Sequence, residues 1–213
     1  MASIGRASAM LASGTFVSRI LGFAKAWLLV QAIGAISIAA NAYGTATNLP
    51  NSLYAIIAQG ILNAILVPQI VRASVNADGG RAYINKLVTL GMVVFAGVAL
   101  VATLGAPLLI SLYGLHQDQV QLATAFAYWS LPQIFFLGLY TLLGEVLNAR
   151  KSFGPFTWAP VLNNVVAIVM LGVFILLFGA YSKSGNPHGS WSFGMIALLA
   201  GGATLGIAVQ ALV

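Results

Sequence analysis

The chain has no cysteine and only three acidic residues, Asp78, Asp118 and Glu145, in 213 positions. Without cysteine, disulfides, thiol catalysis and Cys-based metal sites are excluded. Charge of either sign is scarce, 6% of residues, where a soluble domain carries about 25%. The two histidines, His116 and His188, lie in separate polar breaks, read as solvated loops rather than a metal site. No nucleophile, base and orienting partner can be assembled, so no catalytic residue is assigned and the chain is not read as an enzyme. The nine Lys and Arg leave a formal charge of +6, which in a nucleic-acid binder would form a solvated patch among acids. Here the basic residues fall mainly in short breaks between apolar stretches, so nucleic acid is not an expected partner.

What is present is hydrocarbon: 60% of residues are hydrophobic and the mean hydropathy is +0.97. Six long apolar stretches fall near residues 8–33, 37–72, 86–113, 120–148, 156–181 and 193–213. About 20 apolar residues span a bilayer, and backbone groups in lipid must bond within their own segment. The fold class is therefore an all-α integral membrane protein of about six transmembrane helices. The second stretch is long for one straight span, and Pro50 and Pro68 are positions where it can kink.

With six alternating spans, Arg6, Arg72, Arg81, Lys86, Arg150 and Lys151 fall on one side and Lys183 on the other. The positive-inside rule then places the N-terminus in the cytoplasm. A cleaved leader ending near Ala39–Ala42 is the rival reading, but Ala7–Phe23 is already apolar and unlike a short basic leader. The connections opposite the basic ones, at Gly34–Ser37, Leu115–Gln119 and Ser182–Ser192, are short, so function is expected within the membrane.

Two polar stripes run through the first two spans. At 100° per residue, Ser18, Gly22, Thr15, Arg19 and Lys25 share about one third of the first helix, while Phe16, Ile20, Phe23 and Trp27 hold the opposite side. In the second span Asn41, Thr45, Asn48, Ser52, Gln59 and Asn63 share a sector about 60° wide. Such a stripe is either interhelical glue or the lining of a hydrophilic path. The basic residues decide for the path, since a cation at membrane depth usually faces a watery cavity or a partner charge. In the fourth span Thr141, Glu145 and Asn148 share one face, and Glu145 is read as an interfacial, structural residue beside Arg150. Gly201, Gly202 and Gly206 mark close helix packing rather than a nucleotide loop. Cations among neutral hydrogen-bonding groups suit an anionic ligand such as a phosphate or diphosphate, and an amphipathic path suits one attached to a lipid.

The run Phe16-Val17-Ser18-Arg19-Ile20-Leu21-Gly22-Phe23-Ala24-Lys25 resembles the opening helix of the MurJ/MviN family of lipid II flippases, within the multidrug, oligosaccharidyl-lipid and polysaccharide exporter superfamily. Asn48-Leu49-Pro50-Asn51, Gly60 with Val67-Pro68, Gly144 with Leu147-Asn148, Phe153 with Pro155, and Ala159-Pro160 with Leu162-Asn163 extend the resemblance in order. It implies two lobes around a cationic cavity, of which these spans are the N-terminal one, with the C-terminal lobe missing. The implied function is movement of an undecaprenyl-diphosphate-linked peptidoglycan precursor from the inner to the outer leaflet of the bacterial plasma membrane by alternating access. Membrane lipids and the second lobe are the other expected partners. No cofactor is expected beyond coupling to a monovalent ion or the membrane potential. The substrate-binding residues read from the stripes and the resemblance together are Arg19, Lys25, Ser18, Gly22, Asn41, Asn48, Ser52 and Gln59. The sequence departs from the family where Asn41 replaces a frequent Asp, Tyr54 and Ala55 a frequent Arg pair, and Gln59 a frequent Glu. An exporter of another lipid-linked glycan is the alternative within the transporter class. A non-transporting scaffold is the alternative outside it.

Overall fold

The computed structural model describes residues 2–58, 81–149, 154–181 and 190–213. Its elements are α1 (Ala2–Ile33), α2 (Ile38–Ile57), α3 (Arg81–Leu104), α4 (Ala106–Ser111), α5 (Gln117–Ser130), α6 (Gln133–Ala149) and α7 (Gly154–Phe178). The last pass begins as α8 (Phe193–Ile196), continues through a π-helical segment (Ala197–Gly201) and ends as α9 (Gly202–Leu212). No strand occurs among the described residues, so the fold is all-α.

Among the described residues, five runs are long and apolar enough to cross a membrane: Ala12–Ile33, Tyr83–Leu104, Gln117–Leu147, Phe156–Phe178 and Phe193–Leu212. The remaining pass, α2, is the polar one, carrying Asn41, Thr45, Thr47, Asn48, Asn51 and Ser52 within 20 residues. Pro50 lies buried inside α2 without ending it, whereas Pro68 and the rest of the expected stretch to residue 72 lie outside the described residues.

Cross-helix partners give the direction of each pass. Gly14 of α1 abuts Thr157 of α7, and Gly34, just past α1, abuts Tyr181, just past α7, so α1 and α7 run parallel. In α9, Gly202 meets Met170 and Gly206 meets Asn163, which makes α9 antiparallel to α7. Gly91 on Leu142 and Phe95 on Gly138 set α3 antiparallel to α6. Asn41 with Gln119 and Tyr54 with Thr141 set α2 parallel to α5 and α6. The passes alternate, and the starts of α1, α3 and α7 gather at one end with the last turns of α2, α6 and α9. We call this the basic end, because the basic breaks of the sequence adjoin it.

The breaks have local causes. Gly34 takes a positive φ of 81° and its N–H returns to the Val30 carbonyl at 2.9 Å, closing α1 in the left-handed cap that glycine adopts without strain. Ser37 then starts α2: its hydroxyl accepts the Ala40 N–H at 2.9 Å and donates to the Ile33 carbonyl at 2.6 Å. Between α5 and α6, Pro132 supplies no N–H, so the helix is interrupted there. The Trp129 carbonyl takes the Thr204 hydroxyl at 2.6 Å, and Gln133 Nε2 donates to the same hydroxyl at 2.8 Å. A polar bridge from the last pass thus closes the gap, as backbone groups freed at membrane depth require.

Aromatic and small residues fill the centre. Phe95, Phe126 and Phe174 are almost wholly buried, and Phe126 meets Tyr43 and Trp191 edge to face at ring separations of 5.5 and 5.3 Å. Between helices in lipid the gain comes from such close packing rather than from escape from water. Gly201, Gly202 and Gly206 serve that packing, with Trp129, Met170 and Asn163 lying where a side chain would stand.

Candidate functional site: the polar faces of the first two passes

The α1 helix lies along α7, and α2 lies against α5 and α6. The apolar side of α1 is the exposed one: Phe16, Ile20, Phe23 and Trp27 are 66%, 53%, 79% and 63% accessible, suited to lipid or to further apolar protein.

The expected site residues occupy different settings. Arg19 is exposed on α1. Gly22, one turn further on, has no atom within 4 Å of where a Cβ would stand, so space is open beside it. Lys25 is half-buried and borders a small cavity with Leu29, Tyr43, Met170 and Leu199, between α1, α2, α7 and the last pass. The described lining of that cavity contains no carboxylate. Ser18 is a helix contact: Asn164 Nδ2 donates to its carbonyl at 2.9 Å and to its hydroxyl at 3.1 Å.

On α2, Asn41, Asn48 and Ser52 are all exposed. The Asn41 amide donates to Gln119 Oε1 at 3.1 Å, away from the basic end, and Ser52 bonds its own helix at the Asn48 carbonyl, 3.1 Å. Gln59 lies outside the described residues. Asn51, about 60° from Asn48 around the helix, is exposed as well and widens the polar face. At the family's usual Arg pair, Tyr54 turns to the lobe interior, its hydroxyl 2.5 Å from that of Thr141 and its ring 6.0 Å from that of Phe95, while Ala55 is exposed.

Sequence reasoning missed the polar groups that join the later passes. Asn163 Nδ2 donates to Gln210 Oε1 at 2.8 Å, and the Tyr140 hydroxyl donates to the Phe156 carbonyl at 2.9 Å. Their signal was an amide within each of two apolar stretches, which shows that a partner is needed but not which one.

Among the described residues no cluster of His, Cys, Asp or Glu capable of holding a metal occurs. The candidate residues are neutral donors and acceptors with two cations, groups able to hydrogen-bond and neutralise an anion. A family model described as Lipid II flippase MurJ matches residues 29–213. The chain belongs to the MurJ family. A relative from Burkholderia cenocepacia, Lipid II flippase MurJ, is 31% identical over 176 residues, 80% of this chain and 34% of its own length. A probable lipid II flippase MurJ of Rickettsia prowazekii is 26% identical over 188 residues, 84% of this chain and 35% of its own. The chain therefore spans about a third of the length of these relatives. A solved lipid II flippase MurJ in an inward closed conformation superposes with a TM-score of 0.71 over 95% of this chain and 40% of its own, at 20% identity. The MurJ fold thus extends over nearly the whole chain, including α1, most of which precedes the family match.

Proposed function

We propose that this chain is one lobe of a flippase that carries lipid II, the undecaprenyl-diphosphate-linked peptidoglycan precursor, from the inner to the outer leaflet of the bacterial plasma membrane. The observation that carries the reading is the exposure of Arg19 on α1 and of Asn48, Asn51 and Ser52 on α2. Within a membrane-embedded lobe, polar side chains are expected to turn inward and pair. Here they lie on uncovered surfaces, as the wall of a hydrophilic cavity does before a second set of helices closes over it. The relatives' greater length supplies room for that second set, and the lipid II flippase function for which they are named supports the substrate.

In this reading Arg19 and Lys25 attract the diphosphate, the α2 stripe solvates the sugars, and rocking of the two lobes opens the cavity to each side in turn. The basic end faces the cytoplasm by the positive-inside rule, and ion gradients or the membrane potential bias the cycle. The scaffold reading has a specific observation in its favour, the Ser18–Asn164 contact, which is the kind of interhelical hydrogen bond that such glue would make.

Cysteine labelling separates the two. In the full-length protein, single cysteines at Asn48 and Ser52 react with a membrane-impermeant maleimide when the cavity is wet. Lack of reaction at both positions, from either side of the membrane, contradicts the cavity.

A further inference from the structure

Two passes of the lobe are broken at the same depth, and the breaks touch. The α5 and α6 helices together make one pass, Gln117–Leu147, interrupted at Pro132 near its middle, and the last pass, Phe193–Leu212, carries the π-helical segment Ala197–Gly201 near its own. At the end of that segment the Gly202 N–H is shared between the carbonyls of Leu198 and Leu199. Single π turns inside helices are rare and frequently sit at functional sites. A Cβ on Gly201 would stand 2.9 Å from the Trp129 ring, so the missing side chain lets the two breaks meet.

The Thr204 hydroxyl lies between them, 2.6 Å from the Trp129 carbonyl at the proline break and 3.0 Å from the Ala200 carbonyl in the π segment, and it accepts the Gln133 amide at 2.8 Å. A hydroxyl has one proton to donate, so it serves one of the two carbonyls at a time. Ser130, also at the break, is fully buried, and its hydroxyl has no hydrogen-bond partner among the described residues. Leaving a buried hydroxyl unpaired is costly, and a second arrangement that pairs it would recover that cost.

On each side of the breaks the two passes pack together. Away from the basic end Trp129 meets Phe193 at a ring separation of 5.8 Å and Phe126 meets Trp191 at 5.3 Å; toward it, α9 packs on α6. The neighbouring helices divide in the same way. The α2 helix rests chiefly on α5, with Asn41 on Gln119 and Tyr43 on Phe126, whereas α1 lies along α7 and α7 against α9. A change of angle at the breaks therefore carries α2 and its polar face relative to α1 and its cations.

We propose that the Pro132 break and the π segment form one two-state joint, switched at the Thr204 hydroxyl, that moves the polar face of α2 against the cationic face of α1 as the cavity opens and closes. This rests on the flippase reading above for the cycle that the joint serves. Packed helices shift between discrete arrangements rather than deforming continuously, and the choice of carbonyl at Thr204 supplies two such arrangements.

The test uses the full-length protein in nanodiscs, with spin labels on cysteines replacing Ile56 of α2 and Val165 of α7, both exposed on this lobe. Label separations are read by double electron–electron resonance, beside a lipid II translocation assay on the unlabelled protein. The wild type should show two separations. Pro132→Ala, which restores the missing N–H, should remove one of them and reduce translocation toward background while the unfolding midpoint holds or rises. Thr204→Val should likewise leave one separation, and Thr204→Ser, which keeps the hydroxyl, should retain both; this pair decides the matter if Pro132→Ala does not fold. A single separation in the wild type, or two that neither Pro132→Ala nor Thr204→Val alters, overturns the joint and leaves the flippase reading standing. Loss of one separation with translocation undiminished shows that the movement is no part of transport and also overturns the proposal. Loss of one separation in the variants of a protein whose wild type translocates no lipid II removes the flippase reading and leaves the joint.

Discussion

Asn164 on α7 donates its side-chain amide to both the carbonyl and the hydroxyl of Ser18 on α1, at 2.9 and 3.1 Å, and so pins the cation-bearing helix to the rest of the lobe. The contact lies one residue from Arg19, so it also sets how that side chain is presented. Interhelical hydrogen bonds in membranes contribute about 0.6 kcal/mol on average and up to about 1.7. Asn164→Leu should therefore lower the midpoint of thermal unfolding in detergent modestly. A cysteine at Ser18 should react with maleimide more slowly than one at Ser52. Equal rates would show that the α1–α7 contact opens in the membrane.

Two glycines should separate packing from open space. At Gly206 a Cβ would stand 2.5 Å from Asn163 Oδ1 and 3.0 Å from the Asn163 carbonyl, whereas at Gly22 it would meet nothing within 4 Å. Overpacking of this kind costs about 1–3 kcal/mol. Gly206→Ala should reduce stability and folded yield, and Gly22→Ala should leave both unchanged. A destabilised Gly22→Ala would mean that a helix covers α1 at that point in the assembled protein.

Much of this was legible in the sequence because it depends on helix geometry alone. The exposed apolar side of α1, from Phe16 to Trp27, follows from the 100° rotation per residue, and the exposed stripe of Asn41, Asn48 and Ser52 follows in the same way. Rotation says which side chains share a face but not which neighbour meets them. For that reason the sequence placed Ser18 on the polar face of α1 without naming Asn164 as its partner, and marked Tyr54 as a departure from the family without showing that its hydroxyl meets Thr141 on α6. The interruption at Pro132 was equally hidden, since a proline within an apolar run is tolerated where another pass bonds a carbonyl at the break, as Thr204 does that of Trp129.

Topology gives a third prediction. Reporter fusions after Lys86 and Lys151 should show cytoplasmic activity and fusions within Leu115–Gln119 periplasmic activity. The reverse pattern would invert the orientation and place the basic end outside.

A fourth prediction concerns sufficiency. With Arg19 and the α2 stripe exposed, residues 1–213 expressed alone should insert in the membrane but fail to replace a depleted lipid II flippase. Rescue of growth without self-association would contradict the reading of this chain as one wall of a larger cavity.

The most direct test of the central claim is lipid II translocation by Arg19 variants of the full-length protein at matched membrane expression. An arginine at membrane depth costs about 2.5–3.5 kcal/mol at a helix centre, so its retention on α1 calls for a function. The planar guanidinium can donate paired hydrogen bonds to a diphosphate, lysine replaces only its charge, and glutamine replaces neither. The account predicts translocation in the order Arg19, then Arg19→Lys, then Arg19→Gln, with the last close to background. Undiminished translocation by Arg19→Gln would contradict it.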